Sequence, residues 1–209
     1  MKIVGIIPAR GGSKGIKNKN LIEINKKPLI YWTIKTAKES KLLDDFYVST
    51  EDPNIKRISL KFGVKVIDRP KKLAKDNSTT LSVLQHSIKI TDADAIVCLQ
   101  PTSPIRPKGI IDKAIKKFIK NKSDSLATGR IEHGYEWGKF NNISRQKLKG
   151  WFWDDGLVYI MKSNHLLKNK WTGKKLYKME ISKIYNLLEC DDPTDLKILR
   201  KLIKLNYYD

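Results

Sequence analysis

The chain has 209 residues, with 42 Lys and Arg against 22 Asp and Glu, a formal charge of +20 and a hydrophobic fraction of 40%. That length suits one compact domain over 1–209 with a substantial core. No apolar run approaches the ~20 residues of a membrane span, and the first apolar stretch is too short and too soon followed by Pro8 for a signal peptide, so a cytoplasmic protein is expected.

Short apolar runs alternate with segments of helical period, the pattern of an α/β fold with a mainly parallel sheet. Lys2–Pro8 reads as a buried strand and runs into Ala9-Arg10-Gly11-Gly12-Ser13-Lys14-Gly15, with Lys17, Lys19 and Asn20 just beyond. A strand feeding a glycine-rich basic loop is a phosphate-holding arrangement. Gly11, Gly12 and Gly15 can take positive φ and let backbone N–H groups approach an anion closely, while Arg10, Lys14 and Lys19 add charge-assisted hydrogen bonds. The order of residues fits neither the G-x-x-x-x-G-K-[ST] loop of NTPases nor the G-x-G-x-x-G dinucleotide fingerprint.

Pro28–Ser40 follows as a helix with a broad apolar face, and Asp45–Thr50 as a strand. Asp52-Pro53 starts a helix that ends near Gly63, since Asp caps and Pro suits a first turn. Val64–Asp68 is a third strand, Thr79–Thr91 a helix and Ala93–Gln100 a strongly apolar strand. In such βαβ steps the loops at the carboxyl ends of the strands gather on one edge. Ile6–Asn20, Asp68–Thr80 and Leu99–Arg106 should therefore share one crevice.

The last of these, Gln100-Pro101-Thr102-Ser103-Pro104-Ile105-Arg106, is stiffened by two prolines and concentrates polar groups. Gln100 suits a base edge or sugar hydroxyl, and Arg106 a carboxylate or phosphate. A helix then runs from past Pro107 to about Asn121, and Ser125–Glu132 and Leu157–Met161 read as strands. Between them, Ile131–Gly156 is dense in aromatic residues (Tyr135, Trp137, Phe140, Trp151, Phe152, Trp153), which suits a small β-rich lobe, an interface or a ligand cover. Asp191–Asn206 closes the chain as a helix.

Just before that helix, Glu189 and Asp191 are two apart on extended chain and project from the same side. A carboxylate pair opposite a basic phosphate loop suits Mg²⁺, which takes one or two carboxylates and completes its shell with waters and phosphate oxygens. Asp192 reads as the helix cap. Cys98 and Cys190 lie in apolar stretches without a C-x-x-C partner and are expected as buried free thiols. The lysines are dispersed along the chain, with no zinc-finger, basic-zipper or RNP pattern, so specific nucleic-acid binding is the weakest of the readings.

Taken together, I-P-A-R-G-G-S-K-G with Lys19-Asn20-Leu21, Val48-Ser49-Thr50-Glu51-Asp52, Arg69-Pro70 with Leu73-Ala74 and Asp76, L-Q-P-T-S-P-I-R and the late acidic motif resemble the acylneuraminate cytidylyltransferase family over nearly the whole chain. The resemblance implies a Rossmann-like nucleotidyltransferase fold. It also implies Mg²⁺-dependent transfer of CMP from CTP to the anomeric hydroxyl of a sialic-acid-like nonulosonic acid, releasing pyrophosphate, as in CMP-sialic acid synthesis for surface glycans.

By the same resemblance Ala9, Arg10, Gly11, Ser13, Lys19, Asn20, Arg69 and Thr80 surround the nucleotide, with Arg10, Lys19 and Asp191 catalytic and Glu189 and Asp191 on the metal. Gln100, Thr102, Ser103, Arg145, Gln146, Tyr159 and Trp171 fall to the sugar acid, and 131–156 to a lobe that joins a homodimer. Two positions depart from the family's pattern. Glu189 stands where an Asp is usual, and Asp155-Gly156 replaces Asn-Gly, which places an anion on the expected acceptor side. The alternatives are a nucleotidyltransferase for another sugar acid or sugar phosphate and, from a different class, a basic nucleic-acid-binding protein.

Overall fold

Seven strands form one mixed sheet in the order β5-β4-β1-β6-β8-β7-β9, and the computed structural model that defines them describes residues 1–135, 138, 143–181, 185 and 189–205. The strands are β1 (Ile3–Pro8), β4 (Asp45–Thr50), β5 (Lys65–Asp68), β6 (Ala95–Cys98), β7 (Ser125–Glu132), β8 (Trp151–Lys162) and β9 (Leu176–Glu180). Only β8 runs against its neighbours: β1, β4, β5 and β6 pair in parallel, β8 is antiparallel to both β6 and β7, and β9 is parallel to β7. A hairpin of β2 (Glu23–Ile24) and β3 (Lys27–Pro28) stands apart and turns through Asn25 and Lys26, both at positive φ as a type I′ turn requires.

Alternation along the central strands sorts their side chains into two cores. Ile3, Ile7, Ala95 and Val97 meet α1 (Leu29–Glu39), α2 (Pro53–Lys61) and α4 (Ile110–Lys120) on one face. Val4, Ile6, Ile96 and Cys98 meet α3 (Thr80–Thr91) and α5 (Ser163–Leu166) on the other. A third cluster packs α6 (Pro193–Lys204) through Leu196, Leu199 and Ile203 onto Leu29, Trp32 and Ile105. The helix starts follow the expected chemistry. Asp52 accepts from the N–H groups of Asn54 and Ile55, Thr79 caps α3, and Asp192 forms a capping box with Asp195.

Elements up to β6 lie close to their expected bounds, whereas the C-terminal half departs further. β8 is twelve residues long in place of the expected five, because Trp151–Asp154 continue its pairing with β7, and its register against β7 shifts between Ala127 and Gly129. The polar Asp154-Asp155-Gly156 in its middle breaks the apolar pattern that marks a strand. β9, β2 and β3 had no expected counterpart. Trp137, Phe140 and Asn206, to which the sequence reading extended, lie outside the described residues. Both cysteines are buried free thiols, and no helix among the described residues is long and apolar enough to cross a membrane.

Arg106 departs from its expected role as an anion grip. Its side chain is buried and donates from Nε to the Leu157 carbonyl at 2.9 Å, from Nη1 to Thr33 Oγ1 at 2.8 Å and from Nη2 to the Gln100 carbonyl at 2.7 Å. Burial opposes the guanidinium's charge and the nearby Asp155 supports it. Asp155, 2% exposed, accepts at Oδ1 from Leu157 N–H and Thr128 Oγ1. Its carboxyl is pushed above the usual range by burial, against the pull of the Thr128 and Leu157 hydrogen bonds and of Arg106. The anion expected on the acceptor side is thus an internal group. Arg106→Met should lower unfolding free energy by about 3 kcal/mol in denaturant titration, because it strands two carbonyls and an internal carboxylate.

Candidate active site

Strand order reverses beside β1, where the chain leaves β5 for β6, and open α/β sheets bind ligands outside the carboxyl ends of strands at such a point. A cleft of about 480 Å³ occupies this place. The loops after β1, β5 and β6 wall it, as expected, and the segment before α6 closes its far edge with Asp191.

Basic side chains dominate the first two walls. Arg10, Lys14, Lys19, Arg69 and Lys75 all line the cleft. Asp76 holds two of them, lying 3.1 Å from Arg10 Nη1 and 2.9 Å from Lys14 Nζ, and the hydrogen bond from Lys14 draws its pKa down. Lys19 reaches Asp191 Oδ1 at 3.0 Å, across 172 residues of sequence. Its side chain is only 12% exposed, so this ammonium is aimed into the cleft more rigidly than a surface lysine. Asn20 is buried and donates from Nδ2 to the Arg10 carbonyl at 2.9 Å, fixing the loop on itself.

Of the two properties glycine offers this loop, close approach is the one in use: Gly11, Gly12 and Gly15 do not take positive φ. Gly15 is required by proximity, since a Cβ there would stand 2.5 Å from the Asp191 carbonyl oxygen, and a Cβ on Gly11 would collide with the Asp52 carboxylate. The missing side chains let the phosphate loop lie directly against its neighbours. Nothing comparable constrains Gly12.

The acidic segment is pinned by Cys190 N–H, which donates to the Thr102 carbonyl at 2.7 Å. Glu189 then turns inward, with Oε1 3.5 Å from Ser103 Oγ. Gly156, at φ 69°, makes room: a Cβ there would meet Glu189 Oε1 at 2.5 Å and Ser103 Oγ at 2.6 Å. Burial raises the Glu189 pKa, and the negative charges of Asp191, Asp154 and Asp155 raise it further, with only the Ser103 hydrogen bond acting the other way.

Two carboxylates from one extended segment, one of them crowded by like charges, form a hard-oxygen donor set that a divalent cation would relieve. Mg²⁺ fits these residues, although no group of three or more metal-ligating side chains occurs among the described residues.

Ser13, Thr80, Gln100 and Thr102 line the cleft as expected. Ala9 does not: its side chain is wholly buried in the core, and its N–H donates to the Ser49 carbonyl. Ser103 is buried behind the cleft wall, donating to the Asp155 carbonyl at 3.3 Å. Tyr159 and Trp171 form an edge-to-face pair with centroids 5.9 Å apart in a separate hollow of about 190 Å³, which they share with Asp154 and Phe152. Tyr159 Oη donates to Asp154 in a short contact. Gln146 is exposed and accepts from Ser144 Oγ at 2.7 Å, and the Arg145 side chain lies outside the described residues. Sequence reasoning assigned no role to Asp76 or Lys75 at the cleft mouth, nor to Glu51 beneath the loop; Glu51 and Asp76 stood in quoted motifs, but only their partners give them a task.

A family model described as cytidylyltransferase matches residues 4–209. A pseudaminic acid cytidylyltransferase from Campylobacter jejuni subsp. jejuni serotype O:2 is 37% identical over 153 residues, covering 70% of this chain and 66% of that protein. Another protein of that name, from serotype O:23/36, is 30% identical over 228 residues, covering 99% of this chain and 98% of its own length. An N-acylneuraminate cytidylyltransferase from Streptococcus agalactiae serotype V is 30% identical over 206 residues, covering 90% of this chain and 50% of the streptococcal protein.

Among solved structures, a CMP:2-keto-3-deoxy-manno-octonic acid synthetase complexed with CTP superposes with a TM-score of 0.79 at 16% identity, over 99% of this chain and 100% of that one. At that identity the likeness is one of fold, the Rossmann-like nucleotidyltransferase α/β architecture. With a family match over nearly all of its length and a relative aligned across both whole chains, the chain belongs to the cytidylyltransferase family, in its acylneuraminate cytidylyltransferase-like group.

Proposed function

We propose that this protein transfers CMP from CTP to the anomeric hydroxyl of a nonulosonic acid, with Mg²⁺ as cofactor and pyrophosphate as the second product. The observation that carries the reading is the 3.0 Å contact of Lys19 with Asp191. It joins the phosphate loop to the acidic segment, so cations for a triphosphate and carboxylates for a metal occupy adjoining positions. Relatives named for pseudaminic acid and for N-acylneuraminate favour a nine-carbon keto acid as acceptor, and a soluble cytoplasmic homodimer suits that reading.

In this mechanism Arg10, Lys14 and Lys19 exchange their carboxylate partners for triphosphate oxygens, and charge-assisted bonds to phosphate favour the exchange. Gln100 and Arg69 face the nucleoside side of the cleft. The acceptor's hydroxyl oxygen bonds to the α-phosphorus as the bond from that phosphorus to the α–β bridging oxygen breaks; the hydroxyl proton passes to water and the bridging oxygen leaves with pyrophosphate. Arg10 and Lys19 stabilise the charge that builds on the departing phosphates, a contribution of about 3 kcal/mol for a comparable donor. Glu189 and Asp191 would hold Mg²⁺, which when bound neutralises phosphate charge as a Lewis acid. The remaining contribution is placement: no side chain serves as a covalent nucleophile, and alignment alone removes several kcal/mol of the barrier.

The test is pyrophosphate release from CTP and Mg²⁺ with pseudaminic, sialic, legionaminic and 3-deoxy-octulosonic acids in turn. Release with one of the nine-carbon acids is expected, and silence with all of them in protein that binds CTP would overturn the acceptor assignment. Lys19→Ala should lower kcat/KM by roughly 10²–10³-fold, in line with loss of one electrostatic donor. Asp191→Asn should abolish turnover while leaving CTP binding largely intact, and full activity in that variant would remove Asp191 from the metal site.

A further inference from the structure

Glu51 stands one residue past β4, the strand that lies between β1 and β5, and its carboxylate reaches the loops of both neighbours. Oε1 accepts the Gly11 N–H at 2.8 Å. Oε2 lies 3.2 Å from Arg69 Nη2, which also donates to the Ser49 carbonyl at 3.0 Å. The two side chains are 14% and 4% exposed. Gly11 directly follows Arg10, and Arg10 and Arg69 both line the cleft.

We propose that Glu51 is a positioning residue that couples the phosphate loop to Arg69, so that the nucleotide meets Arg10 and Arg69 at a fixed spacing. The proposal rests on reading the cleft as a CTP site. Its first support is topological. Parallel pairing fixes β1, β4 and β5 side by side, and a carboxylate leaving the middle strand is the group placed to catch both flanking loops at once.

The second support is what the cluster leaves unused. An ion pair built for stability alone uses up its polar atoms, since buried unpaired donors and acceptors cost free energy. Here Arg69 Nε and Ser49 Oγ are buried without a hydrogen-bond partner among the described residues, and Glu51 Oε2 meets Arg69 without hydrogen-bond alignment. The cluster is therefore not a closed, fully satisfied ion pair, and Arg69 itself lines the cleft.

The third support is the glycine. A Cβ on Gly11 would strike Asp52, so the approach that delivers this N–H to Glu51 is open to glycine alone.

Two substitutions divide the contacts. Glu51→Gln keeps a carbonyl oxygen for Gly11 and loses the charge facing Arg69, whereas Glu51→Ala loses both. Calorimetric titration with CTP should show Glu51→Ala weaker by roughly tenfold or more and Glu51→Gln weaker by about threefold, the scale of a misplaced binding group. The KM for CTP should rise by the same factors while the KM for the sugar acid stays within about twofold, a split that general loosening of the fold would not produce. Wild-type affinity in either folded variant overturns the proposal, as does a parallel rise in both KM values. Inorganic triphosphate separates this idea from the CTP reading. Wild-type protein that binds triphosphate but not CTP, with the same loss in Glu51→Ala, retains Glu51 and discards CTP.

Discussion

The buried guanidinium of Arg106 is the constraint from which much of the site follows. Removing a charge from water costs several kcal/mol unless hydrogen bonds replace hydration. Arg106 meets that demand from three elements: Thr33 on α1, Leu157 on β8 and Gln100 at the start of its own loop. Closing the loop onto the Gln100 carbonyl makes 100–106 a single turn, with Gln100 and Thr102 toward the cleft and Ser103 toward Glu189. The Thr102 carbonyl then accepts from Cys190, which brings the acidic segment to the same edge. Asp191 arrives against Gly15 and Lys19 by this route. One charge in the interior therefore helps set the distance between the Glu189–Asp191 segment and the basic loop after β1.

Much of this was legible in the sequence, and what was not has identifiable causes. β1 and β6 could be read because burial on both faces makes them short continuous apolar runs. The three converging loops followed from parallel topology. β9 escaped because an edge strand shows only one buried face, here Met179 between exposed Lys178 and Glu180. β8 was truncated because Asp154, Asp155 and Gly156 look like a loop, although Asp155 is buried and its Oδ1 accepts from Thr128 on the neighbouring strand, 27 residues away in sequence. The hairpin of β2 and β3 turns on Asn25-Lys26 without the glycine that usually marks such a turn.

The misassigned side chains share one feature. Arg106, Asp155 and Ser103 carry the chemistry of a site but spend it inside the protein, and composition cannot distinguish a charge aimed at a ligand from one aimed at the backbone. Conversely, Glu51 and Asp76 read as ordinary acids in a motif, and only the distances to Arg69, Gly11, Arg10 and Lys14 give them a task. Gly11 and Gly15 of the loop use close approach and not positive φ. Glycine admits both positive φ and close approach, and a sequence does not say which property is in use.

The distribution of charge gives the strongest argument that the acidic corner is kept for chemistry. In a chain with nearly two basic residues for every acidic one, most carboxylates could find a lysine at little cost. Asp45, Asp68, Asp76 and Asp124 do so. Yet the charges of Asp154 and Asp155 raise the proton affinity of Glu189, and no ion pair reaches any of the three among the described residues. Selection for stability would have placed one of the many lysines there. A cluster of like charge beside a basic cleft instead stores repulsion that a bound cation would relieve. Lys19, the one ammonium that does reach this corner, is bound to Asp191 and stands where a triphosphate would pass. That position sets one ammonium between the acidic segment and the basic cleft, in contact with both.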